Sequence, residues 1–554
     1  MEDEEKRPLL DLQPSGSCKD DDDDGKNING GGWRACLLIL GTELSDCLAF
    51  AGIGRNLVNY LTGVLGESNV AAARDVSAWT GTCFLTPLLG AFMADSYLGR
   101  RTTIVVFLSI YTMGMITLTL SASFATPRRA SSDGNANTGD GVLRATVYLG
   151  LYLVALGVGG IKPCASPMGA DQFDDAAPER ASFFNWYYFC VNVGSLLAAT
   201  VLVWVQDRAG WWLGFGIPAA VMAVALGAFL FGTRLCGLRT SQTPPGSPLT
   251  RLCQVVVAAV RKRCVELPGD CSLLHQLPDG DHRIIEHTDQ FVFLDKAAVI
   301  VDDASPAASP WMLCTVTQVE EVKMLLRLST VWPTVVFFFA VTAQMPSTFV
   351  EQGKAMDTRV GPVDVPPATL STFEVVSILL CVPAYDAVLM PLARRVTGNR
   401  RGLSQLQRLG VGLALSALAM AYSALLEASR RAATAPTSIM WQAPSYMVLG
   451  AAEVFTSVGL LEFFYDQAPD AMKSLCTAVS LVAVAAGSYL NSAIVAVVAW
   501  ATSPEKGGGG GWIPDDLNQG RLDCFFWLMA GLSCVNLAAF VFSSMKYSYK
   551  DATN

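Results

Sequence analysis

Glu43 and Asp46 lie inside the first apolar stretch of the chain, TELSDCLAFAGIGRNLVNYLT, spaced i, i+3, and Cys47 stands one helical turn beyond Glu43. On a helix the three share one face. Two buried carboxylates this close do not both ionise readily, and a pair that shares one proton is the chemistry of a proton carrier. The plainer reading is a hydrated pair at a helix entrance. Lys162 appears near the end of about twenty apolar residues that begin VYLGLYLVALGVGG. A lysine at that depth is costly unless it faces a partner or a wet cavity, so it marks a functional site unless it snorkels out from a helix end. Glu453 sits in the middle of another apolar run, YMVLGAAEVFTSVGLLEFF.

These charges need membrane-spanning helices to position them. The 554 residues are 52% hydrophobic and 16% charged, with a mean hydropathy of +0.38. Soluble domains carry roughly 25% charged residues, so the composition points to a polytopic membrane protein. Twelve apolar segments follow one another, most with the roughly 20 residues that cross a hydrocarbon core, and in lipid such segments must be helices. The expected class is therefore all-α, with twelve transmembrane helices in two six-helix halves. Residues 1–32 read as a disordered acidic cytoplasmic tail, 33–233 as the N-terminal bundle and 234–320 as a cytoplasmic linker. The C-terminal bundle covers 321–545, and 546–554 form a second cytoplasmic tail. Part of the linker reads as an amphipathic helix. The first 32 residues lack the apolar core of a cleavable signal peptide. Arg100, Arg101, Arg394, Arg395, Arg400, Arg401 and Arg408 fall on the linker side, which places the termini in the cytosol.

Other chemistries are excluded by what is missing. Most of the 15 cysteines lie in apolar runs with no CxxC, and the 3 histidines fall in one polar segment. The chain reads as free of metal sites and cofactors, with no nucleophile–base set of an enzyme. No basic cluster suggests nucleic acid.

The motifs GGIKP, DQFDD and FNWYYFCVNVGSL, in that order, resemble the proton-dependent oligopeptide transporters, and more closely their plant branch, the nitrate transporter 1/peptide transporter family. The resemblance implies the major facilitator superfamily fold, with alternating access around a midplane cavity. Stretches such as FLDKAA and CTVTQVEEVK look most like the peptide-transporting branch. The family's helix 1 motif, E-x-x-E-R/K, is linked to proton coupling and is matched by Glu43, Asp46 and Cys47, so the second acid is shortened and the cation lost. The resemblance assigns Lys162 to the helix 1 carboxylates or to substrate, which makes it the main countercharge here. Arg55, about 120° around the helix from Glu43, is a poor substitute.

Glu453 matches a cavity glutamate that faces a peptide's amino terminus, so with Lys162 opposite it forms a dipolar site for a zwitterion. Tyr187 and Tyr188 are candidate cavity residues beside Asn185, Trp186 and Asn192. Thr342 replaces a nitrate-binding histidine, which disfavours nitrate by that route, and Gln344 and Thr348 are candidate polar lining. Asp95, Gly99, Arg100 and Arg101 resemble the superfamily's cytoplasmic gating loop, Glu462 reads as a gate or salt-bridge residue, and the acidic loop Asp171–Asp175 with Glu179 and Arg180 as a contact to the other half. Thr103 matches a phosphorylation switch, which brings in a regulatory kinase. The expected function is secondary active transport of small peptides or related organic solutes, proton-coupled, at the plasma or vacuolar membrane. Nitrate, hormone or organic anion transport, an uncoupled facilitator or exporter, and a transceptor are the alternatives.

Overall fold

The computed structural model describes residues 32–67, 69–124, 137–173, 178–235, 247–267, 274–276, 285, 287–300, 309–397, 402–433, 435–502, 512 and 520–547. The acidic tail, Asp174, Asp175, Arg400, Arg401 and much of the linker lie outside the described residues.

Among the described residues, thirteen long helices organise the chain. The N-terminal half holds α1 (Gly32–Gly54), α2 (Asn69–Met93), α3 (Arg100–Phe124), α4 (Asn137–Ala170), α5 (Pro178–Leu197) and α6 (Trp211–Leu235). The linker supplies α7 (Pro248–Arg261). The C-terminal half holds α8 (Val316–Thr342), α9 (Ser371–Ala384), α10 (Gln405–Ala432), α11 (Ala443–Glu453), α12 (Lys473–Ala501) and α13 (Leu522–Met545). Among the described residues, eleven helical spans are long and apolar enough to cross a membrane. The remaining expected segment, 77–97, is also helical, forming α2 and the wide turn after it. The expected two-by-six architecture is therefore present. Between α8 and α9 lies a short two-stranded hairpin, Arg359–Val360 against Val363–Asp364.

Lipid offers no hydrophobic drive between helices, so close approach through small residues decides their packing. A Cβ on Gly114 of α3 would lie 2.8 Å from the Val154 nitrogen of α4, and one on Gly157 would lie 2.5 Å from the Tyr111 Cβ of α3. A Cβ on Gly159 would lie 2.6 Å from the Thr86 Cβ of α2. This packing carries α4 past Pro163 and Pro167 to Ala170, beyond the end near 165 that the hydropathy alone suggests. The extension presents Asp171 at the linker side of the bundle.

Among the described residues, four stretches of π-helix interrupt or extend the spans: Ala94–Leu98 after α2, Ala198–Leu202 after α5, Tyr385–Leu389 after α9 and Val454–Val458 after α11. Such widened turns often occur at functional sites. The linker docks on α8, which opens with a Thr315–Gln318 capping box one turn before the boundary expected at 321. Lys323, fully buried, contacts Asp295 at 2.7 Å and Glu320 at 2.9 Å and donates to the Thr288 carbonyl at 2.7 Å.

Gly114→Val is expected to destabilise the detergent-purified protein by about 1–3 kcal/mol or more, because α3 and α4 cannot separate locally. Gly227→Ala, where a Cβ meets nothing within 4 Å, is expected to be neutral. Thermal unfolding of both variants measures the difference, and equal midpoints would refute the packing argument.

Candidate functional site

The first component is a buried charge cluster between α1 and α4. Lys162 Nζ lies 2.8 Å from Asp46 Oδ2 and 3.9 Å from Glu43 Oε1. Cys47 Sγ is 3.7 Å from Glu43 Oε1 and 4.0 Å from Lys162 Nζ. Phe50 closes one side, its ring centroid 5.5 Å from the ammonium. Glu43 and Asp46 are buried, and Lys162 is nearly so. The Lys162–Asp46 ion pair is the closest contact of the cluster. Both Asp46 oxygens and Glu43 Oε2 keep unused acceptor capacity. Two carboxylates against one ammonium leave room for one proton in a neutral cluster. α5 packs closely on α1 here: a Cβ on Gly194 would lie 2.7 Å from the Leu44 carbonyl oxygen and 3.0 Å from the Cys47 Cβ.

The second component is a cavity of about 890 Å³ between the halves. Its wall carries Arg55, Tyr188, Thr342, Glu374, Glu453 and Ser457. Tyr188 donates a short hydrogen bond to Glu453 Oε1. Glu374 of α9 is in hydrogen-bond contact with Glu453 and within electrostatic reach of Arg55. Arg55 stands at the break after α1 and Ser371 at the start of α9, both on the side away from the linker, so the cavity extends toward that side. Neighbouring residues of α5 join the two components, because the Tyr187 hydroxyl faces Glu43 while Tyr188 holds Glu453.

Several expected positions move. Lys162 is not on the cavity wall; Asp46 and Glu43 hold it behind α1, and the cation that lines the cavity is Arg55. Arg55 and Glu374 were not among the expected site residues. Tyr187 is turned to the charge cluster, leaving Tyr188 on the wall. Thr342 lines the cavity, whereas Gln344 is fully buried, donating to Asn491 Oδ1 and accepting from Thr348. Gln344 and Thr348 therefore brace the end of α8 rather than line the site.

Residues 101–513 match the POT family (PTR2). The Arabidopsis thaliana protein NRT1/PTR family 8.3 is 48% identical over 95% of this chain and 93% of its own length. NRT1/PTR family 8.1 from the same plant is 47% identical over 94% and 95%. The chain belongs to the POT family. Its fold agrees with a crystal structure described as an auto inhibited POT family peptide transporter, with TM-score 0.60, 23% identity and coverage of 94% and 98%. A POT family transporter in complex with 5-aminolevulinic acid superposes with TM-score 0.58, at 15% identity and 93% and 98% coverage. Membership makes this chain a membrane transporter and not an enzyme.

The linker side of the transporter is closed by polar contacts between its halves. Asp95, in the π-turn after α2, accepts from the Leu475 amide at the start of α12 at 2.8 Å. Gly99 takes φ +73°, a backbone that favours glycine, and turns the chain into α3. Arg100 pairs with Asp171 and donates to Ser474 Oγ at 3.0 Å. Asp171 also accepts from Tyr465 and lies 3.7 Å from Lys473. Arg101 stays within its own half, donating to Thr233 at 3.1 Å. A second set joins α5 to the other half. Arg180 contacts Asp466 at 2.6 Å, Ser182 donates to Asp386 at 2.8 Å, and Arg408 donates to Asn185 at 2.6 Å. Arg408 stacks 4.1 Å over the Tyr385 ring and lies 3.6 Å from Glu462. Thr103 is fully buried, its hydroxyl donating to the Gly99 carbonyl at 2.9 Å, so a kinase has no access to it in this conformation.

Cys164 and Cys476 are buried beside this closure and report on it. Asp171→Asn weakens the acceptor that Arg100, Tyr465 and Lys473 share. It is expected to raise N-ethylmaleimide labelling of both thiols about tenfold, since a bond to a charged group contributes about 1.5–3 kcal/mol. Unchanged labelling by peptide mass spectrometry would show that the closure does not depend on Asp171.

Proposed function

We propose that this transporter imports small zwitterionic peptides and related amine-bearing solutes into the cytosol, coupled to protons. The observation that carries the reading is the pairing of an acidic cavity with the buried cluster through Tyr187 and Tyr188. A cavity of about 890 Å³ suits a small solute. Glu453 and Glu374 are matched to a substrate amine and Arg55 to its carboxylate. The relative that holds 5-aminolevulinic acid, itself a small amino acid, supports this class of substrate.

The arginines on the linker side support a cytosolic position for that side and for both termini. The plasma or vacuolar membrane then presents the open side of the cavity. Substrate enters from there and its amine draws Glu453 from Tyr188. A proton reaching Asp46 or Glu43 removes the charge that holds Lys162. The freed ammonium becomes available to the substrate carboxylate, and the closure around Asp171, Asp386 and Arg408 opens in turn. Asp95, Gly99, Arg100 and Glu462 serve as gate residues in this cycle. The buried hydroxyl of Thr103 gives a kinase switch no support here.

Nitrate is the second reading, favoured by the names of the plant relatives. Two carboxylates on the cavity wall oppose an inorganic anion, and Thr342 offers it no charge.

Uptake of labelled dipeptide in oocytes is expected to rise, with inward current, from about pH 7.5 to about pH 5.5, a range in which perturbed carboxylates titrate. Lys162→Ala is expected to abolish uptake while protein still reaches the membrane. Glu453→Gln is expected to raise the KM about tenfold, the loss of one charge-assisted bond. Normal uptake by Lys162→Ala would defeat the coupling site. Nitrate uptake without dipeptide uptake would defeat the substrate class.

A further inference from the structure

The linker helix α7 has a wider apolar arc than the protein covers. Leu252, Val255, Ala258 and Ala259 pack against Leu294, Cys314 and Val322. Beside that buried stripe, Leu249, Cys253, Val256 and Val260 recur at i, i+4, i+7 and i+11, which places them in line on one helix face. All four are exposed, Val256 to 46% and Val260 to 60%. Trp311 and Met312 are exposed next to them, and Arg261 donates to the Trp311 carbonyl at 3.4 Å.

The stripe stands where the spans leave the bundle. Ser247, which precedes α7, lies 3.5 Å from Ser96 at the end of the second span. Arg251 is 3.7 Å from Glu321, in the second turn of the span that begins at Val316. The C-terminal end of α7 carries exposed Arg261 and Arg263, and Lys296 donates to the Arg263 carbonyl at 2.6 Å. Lys262 turns inward to the Ala297 and Val299 carbonyls, and burial lowers its ammonium below the usual lysine range. Glu266 is an exposed acid near this basic end.

We infer that α7 docks on the anionic cytosolic leaflet of the membrane, its Leu249–Val260 stripe in the acyl boundary and Arg261 and Arg263 among lipid phosphates. An aliphatic stripe bordered by arginines and a tryptophan, at the level of the span ends, fits a lipid surface in both its apolar and its charged part. The choice of leaflet rests on the orientation proposed above. Docking ties the membrane to α8, because the linker residues packed under α7 are clamped to α8 through Lys323, Asp295 and Glu320.

The test is hydrogen–deuterium exchange of the full chain in nanodiscs of phosphatidylcholine alone and with about one third phosphatidylserine. Exchange in peptides covering residues 249–261 is expected to slow about fivefold or more in the anionic discs, the factor that one arginine contributes near such a surface. Arg261→Gln with Arg263→Gln is expected to remove the difference, and Val256→Asp to speed exchange in both discs. Peptides from residues 316–330 report that the fold is intact. Equal exchange of the natural chain in the two discs overturns the inference. Protection that appears only when a cytosolic protein is added also overturns it, and makes the stripe a protein interface.

Discussion

A buried ammonium must be neutralised wherever it sits, and in this transporter that constraint falls on Lys162. Its nearest carboxylate, Asp46, is 2.8 Å away with no exposed surface. Removing one partner of a buried pair costs about 3–5 kcal/mol, so the pairing of α1 with α4 is tied to the protonation of Asp46 and Glu43. The glycines that bring α2 and α3 against α4 fix the helix from which Lys162 projects. The same extended α4 ends at Ala170, directly before Asp171, a principal acceptor of the closure between the halves. One helix therefore links the buried charge cluster to that closure.

The closure is redundant on the linker side. Contacts around Asp95, Arg100 and Asp171 join the second, third and fourth helices to Tyr465, in the short helix Gly459–Asp466, and to the start of α12. Contacts around Ser182, Asn185 and Arg180 join α5 to Asp386 in the turn after α9, to Arg408 of α10 and to Asp466. Two of the π-turns, Ala94–Leu98 and Tyr385–Leu389, carry Asp95 and Asp386 into these sets. The corresponding loops of the two halves thus each place an acid against the opposite half. Such an arrangement gives rocking a defined closed position without a large apolar interface that would be slow to part.

Much of this was legible in the residues. Charges inside apolar runs stand out, so Glu43, Asp46, Lys162 and Glu453 are readable, and Asp95, Gly99 and Arg100 are readable from their resemblance to a gating loop. Glu374 was not, because it lies in the first turn of α9, where an acid is ordinary helix-end chemistry. Arg55 was set aside on helical phase; the break after Gly54 changes its direction and brings it to the cavity. Tyr187 and Tyr188 are adjacent and alike in sequence. Only the packing of α5 between α1 and the other half separates one toward Glu43 and the other toward Glu453. Gln344 looked like lining because it is polar near a helix end, yet Asn491 and Thr348 consume its hydrogen bonds.

The exchange of a guanidinium for Cys47 gains a physical meaning from this geometry. The thiol lies 4.0 Å from the Lys162 ammonium, so a cation at this position would stand against a like charge. With Cys47 neutral, Lys162 is the one cation that contacts both carboxylates among the described residues, and their charge state acts on it directly. In the proposed cycle, protonation changes the position of a single ammonium rather than redistributing a network. Tyr187 and Tyr188 are placed to carry that change one residue along α5, from the acid beside Lys162 to Glu453 on the cavity wall. On that proposal one cation is enough for coupling in this chain.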